Sequence, residues 1–221
     1  MPALEPRSDL GEFCALQWTR TELCRLLRDF FRATRPTGAP PVRVGTDLPF
    51  YYDPTDKLAR FTPDVYVLEG LGEEEVLRSF RVWERGVRPS LLIHLVDSAV
   101  APEDGLLMHC ARLGAEDIVL FDPLWSLQPA ASPCGRRPLW HYHQADGLTL
   151  QTQEHPGRVA LPRHGLWLCH RGGAELRLYA GGAEVFPSEA ACWPTSEEQL
   201  LALRSRSPLP GAAELEKADP G

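Results

Sequence analysis

The sequence predicts an α/β domain: a mixed β-sheet flanked by helices, with a β-rich extension towards the C-terminus. Three observations carry this. Leu91 to Val96 is an almost continuous apolar run, interrupted only by His94, as expected of a strand buried on both faces. A helical stretch from Asp104 to Leu113 and a second apolar run, Ile118 to Phe121, follow it closely. Together they make a βαβ unit, which implies parallel pairing and a right-handed crossover. Beyond residue 138 the expected strands are short and carry polar alternation.

Taken in order, residues 1–18 read as an irregular leader. From Thr19 to Thr34 the residues Leu23, Leu26, Leu27, Phe30 and Phe31 form a stripe at helical spacing, with Thr19 or Thr21 as the cap and Pro36 and Gly38 as the stop. Arg25, Arg28, Arg32 and Arg35 line the opposite face, either as a solvated face or as a phosphate-contacting stripe for nucleic acid. Val42 to Thr46 and Leu48 to Tyr52 read as strands, and Asp53 to Asp56 as a turn. Asp64 to Leu68 follows Pro63, a residue suited to a strand start. Gly70 to Glu75 is an acidic loop, and Ser79 to Trp83 a short edge strand. After the βαβ unit, residues 124–137 form a proline-rich connection. The strands of the extension are Leu139 to His143, Leu148 to Thr152, Leu166 to His170 and Glu175 to Tyr179, separated by glycine turns. The expected organisation is one domain over residues 19–190, with its core at 40–125 and the extension at 138–185, followed by a partly disordered tail over 191–221 that includes a short helix from Glu197 to Arg204.

Composition narrows the function classes. The chain of 221 residues has a formal net charge of −7, which disfavours strong non-specific binding to nucleic acid but leaves room for a local basic patch. No apolar run approaches the ~20 residues of a membrane span. The first residues lack the basic-then-apolar order of a signal peptide, so a cytoplasmic protein with no membrane partner is expected. Cys14, Cys24, Cys110, Cys134, Cys169 and Cys192 are scattered, without the spacing of a zinc ribbon, and read as small buried hydrophobes or free thiols. Lys57 and Lys217 are the only lysines.

Five segments in order carry a family resemblance: Asp47 to Asp56, Thr62 to Leu68, Arg78 to Glu84, Leu113 to Pro123 and, more loosely, Gly165 to Leu168 with Leu176 to Tyr179. Over most of residues 20–185 the chain resembles the bacterial Uma-type restriction endonucleases of the PD-(D/E)xK nuclease superfamily. The resemblance implies a restriction-endonuclease-like fold, often dimeric, that hydrolyses phosphodiesters of DNA with Mg²⁺ or Mn²⁺. In such a site two carboxylates on adjacent strands hold a hard cation, and a lysine places positive charge near the attacking water.

Only Asp64 matches a position of that site. His94 stands where the second carboxylate belongs, and the helix position expected for the lysine reads Gly105 or Leu106. Neither lysine of the chain is near. The expectation is a degenerate nuclease acting as a binding or regulatory homologue, with DNA as a candidate partner and a homodimer as its assembly. The alternative is an active endonuclease with a rewired site in which Asp64, His94 and Asp97, helped by Glu103 and Asp104, offer nitrogen and oxygen ligands suited to Zn²⁺ or Mn²⁺. Arg112 or His109 would then replace the lysine, although arginine does not deprotonate. Glu22 is a candidate auxiliary acid. His141 and His143, two apart on a strand, share one face with metal-compatible spacing, but an ordinary half-exposed strand is the simpler reading. Phe50, Tyr51 and Tyr52 are expected in core or dimer-interface packing rather than base stacking.

Overall fold

In a computed structural model the chain is described over residues 8–74, 76–96, 103–123, 137–151, 155, 157–172 and 174–185, with residues 8–15, 103 and 104 described as backbone only. The predicted α/β architecture is present. A six-stranded sheet has the order β1 (Val42–Gly45), β4 (Val65–Glu69), β6 (Pro89–Leu95), β7 (Asp117–Phe121), β8 (Leu139–Gln144) and β9 (Leu148–Leu150). β6 and β7 are parallel and joined through α3 (Glu103–Leu113); every other pair in this sheet is antiparallel.

The sheet is a middle layer because its two central strands are apolar on both faces. Leu91, Ile93 and Leu95 point to one side, where α1 (Ser8–Thr34) packs its Leu23, Leu27 and Phe30 with a four-stranded sheet of β10 (Arg158–Leu161), β11 (Leu166–Gly172), β12 (Glu175–Ala180) and β13 (Ala183–Glu184). Leu92, Ile118, Leu120 and Trp140 point to the other side, covered by Leu106, Cys110 and Leu113 of α3. Phe50 and Phe80 complete that layer from a small sheet of β2 (Phe50–Tyr51), β3 (Arg60–Phe61) and β5 (Phe80–Arg81). This alternation follows from the two-residue period of a strand.

Three sequence expectations are corrected. Helix α1 starts at Ser8, so residues 8–18 are helical rather than an irregular leader. The expected edge strand at residues 79–83 is only Phe80–Arg81, after which the chain turns into a one-turn helix, α2 (Val82–Arg85), ended by Gly86 in the left-handed conformation at φ 64°. The extension also divides: β8 and β9 join the central sheet, and only β10 to β13 form a separate one. Polar residues in β8 disguised a buried strand, because His141 is buried against a carboxylate rather than exposed. The expected tail and its helix from Glu197 to Arg204, and the connection over 124–136, lie outside the described residues.

That carboxylate, Asp117, is itself buried, and its Oδ1 lies 2.9 Å from His141 Nε2 and 3.0 Å from His143 Nδ1. Burial pushes its pKa up, but the hydrogen bonds and charges of the two rings outweigh that and hold it below the ordinary value. Nearby, a 3-10 turn over Pro162–His164 buries His164, whose pKa burial pushes down against the opposing pull of Glu69 and Asp117.

Both shifts act in the same direction. Each group has a folded-state pKa below its unfolded value, so its contribution is present above the unfolded pKa and is lost as pH falls through the folded one. The urea midpoint is therefore expected to fall in two stages on acidification, first from about pH 6.5 through His164 and then from about pH 4 through Asp117. Asp117→Asn should shrink the second stage, to which Glu69 also contributes, and a midpoint flat between pH 7 and pH 3 would contradict the assignment. In the same assay Ile93→Ala, at a site with no exposure, should cost about 2–5 kcal/mol.

Candidate functional site

The antiparallel register that pairs Val65 with Ile93 and Tyr66 with Leu92 continues to set Asp64 opposite His94. The two residues named from sequence are thus brought together: Asp64 Oδ2 is 2.7 Å from His94 Nδ1. The contact is close but poorly aligned, and both ring nitrogens of His94 are buried without a hydrogen-bond partner. Asp64 Oδ2 instead accepts the backbone N–H of Leu95 at 2.9 Å.

The other carboxylate oxygen faces a cation of the protein itself. Arg20, on α1, places Nη1 4.0 Å from Asp64 Oδ1 and 2.5 Å from Asp47 Oδ1, and its other terminal nitrogen bonds Gln17. Asp47 is the one non-glycine residue with positive φ among those described, at 55°. Aspartate tolerates that conformation better than most residues, which lets it turn its carboxylate back onto Arg20. Sequence reasoning missed Arg20 and Asp47. With the helix expected to begin at Thr19, Arg20 fell in a first turn without an assigned face; in the longer helix it lies mid-helix.

An aromatic layer separates this pair from the candidate acid–base residue of α3. Phe61 packs edge-on against His94 at 5.5 Å between centroids and lies parallel to His109 at 6.1 Å, with 6° between the planes. His109 Nδ1 is 2.6 Å from the Tyr52 hydroxyl, and the Arg112 guanidinium sits 6.0 Å from the Tyr52 ring. Both residues offered as lysine substitutes are therefore engaged with Tyr52.

A hard divalent cation requires about six oxygen ligands. Among the described residues no group of three or more His, Cys, Asp or Glu is arranged to hold a metal ion. The donor set present is one carboxylate, already receiving a backbone N–H and facing a guanidinium, beside one imidazole. Among the described residues that set falls short of a Mg²⁺ site. Asp97 lies outside the described residues, and Glu103 and Asp104 are described only as backbone.

The other named residues are committed within the chain. Arg25 pairs with Glu22 one turn away on α1. Arg28 and Arg32 both meet Glu73, at 3.0 and 3.2 Å, and Arg35 reaches Glu69 at 3.3 Å. His141 and His143 share Asp117, as described above. Cys24, Cys110 and Cys169 are buried thiols. Burial pushes the Cys110 thiol up to about 12, so it is an inert packing residue. No helix among the described residues is long and apolar enough to cross a membrane.

No family model matches the chain, and no curated protein matches it. Among solved structures it is similar to a "putative nuclease belonging to DUF820" from Anabaena variabilis, with 15% identity and a TM-score of 0.44 over 74% of this chain and 78% of that one. At that degree of likeness the functional reading rests on the chain's own residues.

Replacing His94 by glutamate would set two carboxylates face to face, the arrangement a hard cation stabilises. With Mn²⁺ at about a hundred times its dissociation constant, the Tm of His94→Glu should rise by several degrees, whereas the wild type should not respond. An equal response of the wild type would show that the existing donor set already binds the ion.

Proposed function

We propose that this protein is a degenerate PD-(D/E)xK endonuclease with a restriction-endonuclease-like fold, retained as a binding or regulatory homologue that pairs with itself or with an active relative. The observation that supports this most directly is the compensation of Asp64 by the protein's own groups. In a working site of this kind the carboxylates hold a cation whose charge is turned on the phosphate. Here Arg20 faces Asp64 on one side and Leu95 N–H binds it on the other. The neighbouring residue, His94, brings no carboxylate where a second negative charge is needed.

Water activation lacks a group as well. His109 is held by Tyr52 and screened from Asp64 by Phe61, and Arg112 cannot accept a proton. DNA enters this reading as a partner through the family resemblance alone. The Arg25 to Arg35 stripe is a poor docking face for it, since each arginine already meets an internal acid.

One observation favours a second reading, a rewired metal-dependent nuclease. His94 keeps two buried nitrogens without hydrogen-bond partners beside a carboxylate, a nitrogen and oxygen pair of the kind Zn²⁺ or Mn²⁺ accepts. Cleavage of plasmid and single-stranded DNA with Mg²⁺, Mn²⁺ or Zn²⁺ separates the two, with Asp64→Ala as control. No cutting above the Asp64→Ala background is expected. Cutting by the wild type that disappears in Asp64→Ala would replace the degenerate reading with the rewired one.

A further inference from the structure

Strand β1 is an outer strand of the six-stranded sheet, and among the described residues no other strand lies beyond it. Such an edge is a template for a strand of another chain, because alternate backbone groups have no partner within the sheet. The register with β4 identifies those groups. Gly70 N–H donates to Pro41 O, and Arg43 and Gly45 follow at the two-residue period of the ladder, so their backbone groups also face β4. The backbone groups of Pro40, Val42 and Val44 therefore face outward.

Two of the outward carbonyls are already taken by side chains of α1, which packs against β1. Arg28 Nη2 donates to Val44 O at 3.1 Å, and Arg35 Nη1 donates to Pro40 O. The spacing allows both contacts at once. About two helical turns separate the arginines, ~10 Å along the axis, and the two carbonyls are ~13 Å apart along an extended chain that runs the opposite way. Both guanidinium groups also meet an acid, Arg28 at Glu73 and Arg35 at Glu69, at 3.0 and 3.3 Å.

The start of the strand is closed by other means. Pro40 and Pro41 have no N–H, so the edge offers an incoming strand no donor ahead of Val42. An incoming strand also needs the Val44 carbonyl as acceptor for its own N–H, together with the space over the edge. Arg28 takes both. A charged donor bonds a carbonyl more strongly than the neutral amide that would replace it, so the exchange is unfavourable.

We propose that Arg28 and Arg35 are an edge guard, an autoinhibitory contact that keeps β1 from pairing with a strand of a second copy of this chain. Two members of the arginine stripe on α1 thereby act on the protein's own backbone. Any pairing of the protein with itself then proceeds through another surface. None of these contacts involves Asp64 or His94, so the guard stands apart from the reading of that site.

Sedimentation velocity of the full chain over a wide range of concentration tests it, with amide hydrogen exchange at Val42 as the second readout. Arg28→Met combined with Arg35→Met keeps the apolar stems and removes both donors. This double variant should form a larger species whose share grows with concentration, with Val42 exchange slowed about tenfold or more. Adding Val42→Pro, which removes an outward N–H and leaves the β4 ladder intact, should restore wild-type sedimentation. Glu73→Gln, which weakens an ion pair of Arg28 but spares both edge bonds, should sediment as the wild type does. If the double variant does not fold cooperatively, Arg35→Met alone decides: association reversed by Val42→Pro supports the guard, and wild-type sedimentation overturns it. A folded double variant that sediments as the wild type, or association that survives Val42→Pro, would likewise overturn the proposal. So would a wild type whose Val42 amide becomes protected as concentration rises.

Discussion

The parallel pairing of β6 with β7 is the contact on which the rest of the architecture depends. Leu91, Leu92, Ile93, Ile118, Val119 and Leu120 have no exposure on either face, so the pair is stable only when both sides are covered. α3 covers one side as part of the crossover itself. The other side needs a long apolar helix, and α1 supplies it by reaching from Ser8 to Thr34. The small sheet of β2, β3 and β5 completes the layer of α3, and the C-terminal sheet completes the layer of α1. An antiparallel sheet with one wet face would have made no such demand.

A second constraint follows from burying so many ends of strands. Each carboxylate placed there has to be met by donors, since an unpaired buried charge is costly. Asp117 is met by two histidines, Glu69 by Arg163 and Arg35, and Asp64 by Leu95 N–H and the nearby Arg20. Burial pushes Glu69 up, yet its cationic neighbours hold it below the ordinary carboxylate value. Asp64 follows the same pattern, accepting the Leu95 N–H and facing Arg20 at 4.0 Å.

The Asp64 and His94 pair shows how far a site can be read before folding. Their cross-strand opposition follows from two adjacent antiparallel strands and was legible once Pro63-Asp64 and the buried run through His94 were recognised. What surrounds them was not. Arg20 arrives from a helix, Asp47 from a loop residue at positive φ, and Phe61 from a two-residue strand. None of these has a periodic signal, because each acts through one contact with a residue distant in sequence. Asp117 left a faint trace, an acid in an apolar strand facing alternate histidines, but only the register of β7 with β8 joins them.

By itself the sequence determined the strongly periodic elements: the apolar stripe of α1, the doubly buried β6 and β7, α3 between them, and the parallel crossover. These depend on local spacing and on the handedness of the chain, both carried by consecutive residues. It also placed His94 at the position where the family resemblance implies a second carboxylate. Tertiary structure alone decided that β8 and β9 extend the central sheet, that short strands such as β3 and β13 exist at all, and that Asp64 is compensated. Those outcomes depend on which distant groups meet, and a two-residue strand or a single ion pair has no local energy large enough to announce itself.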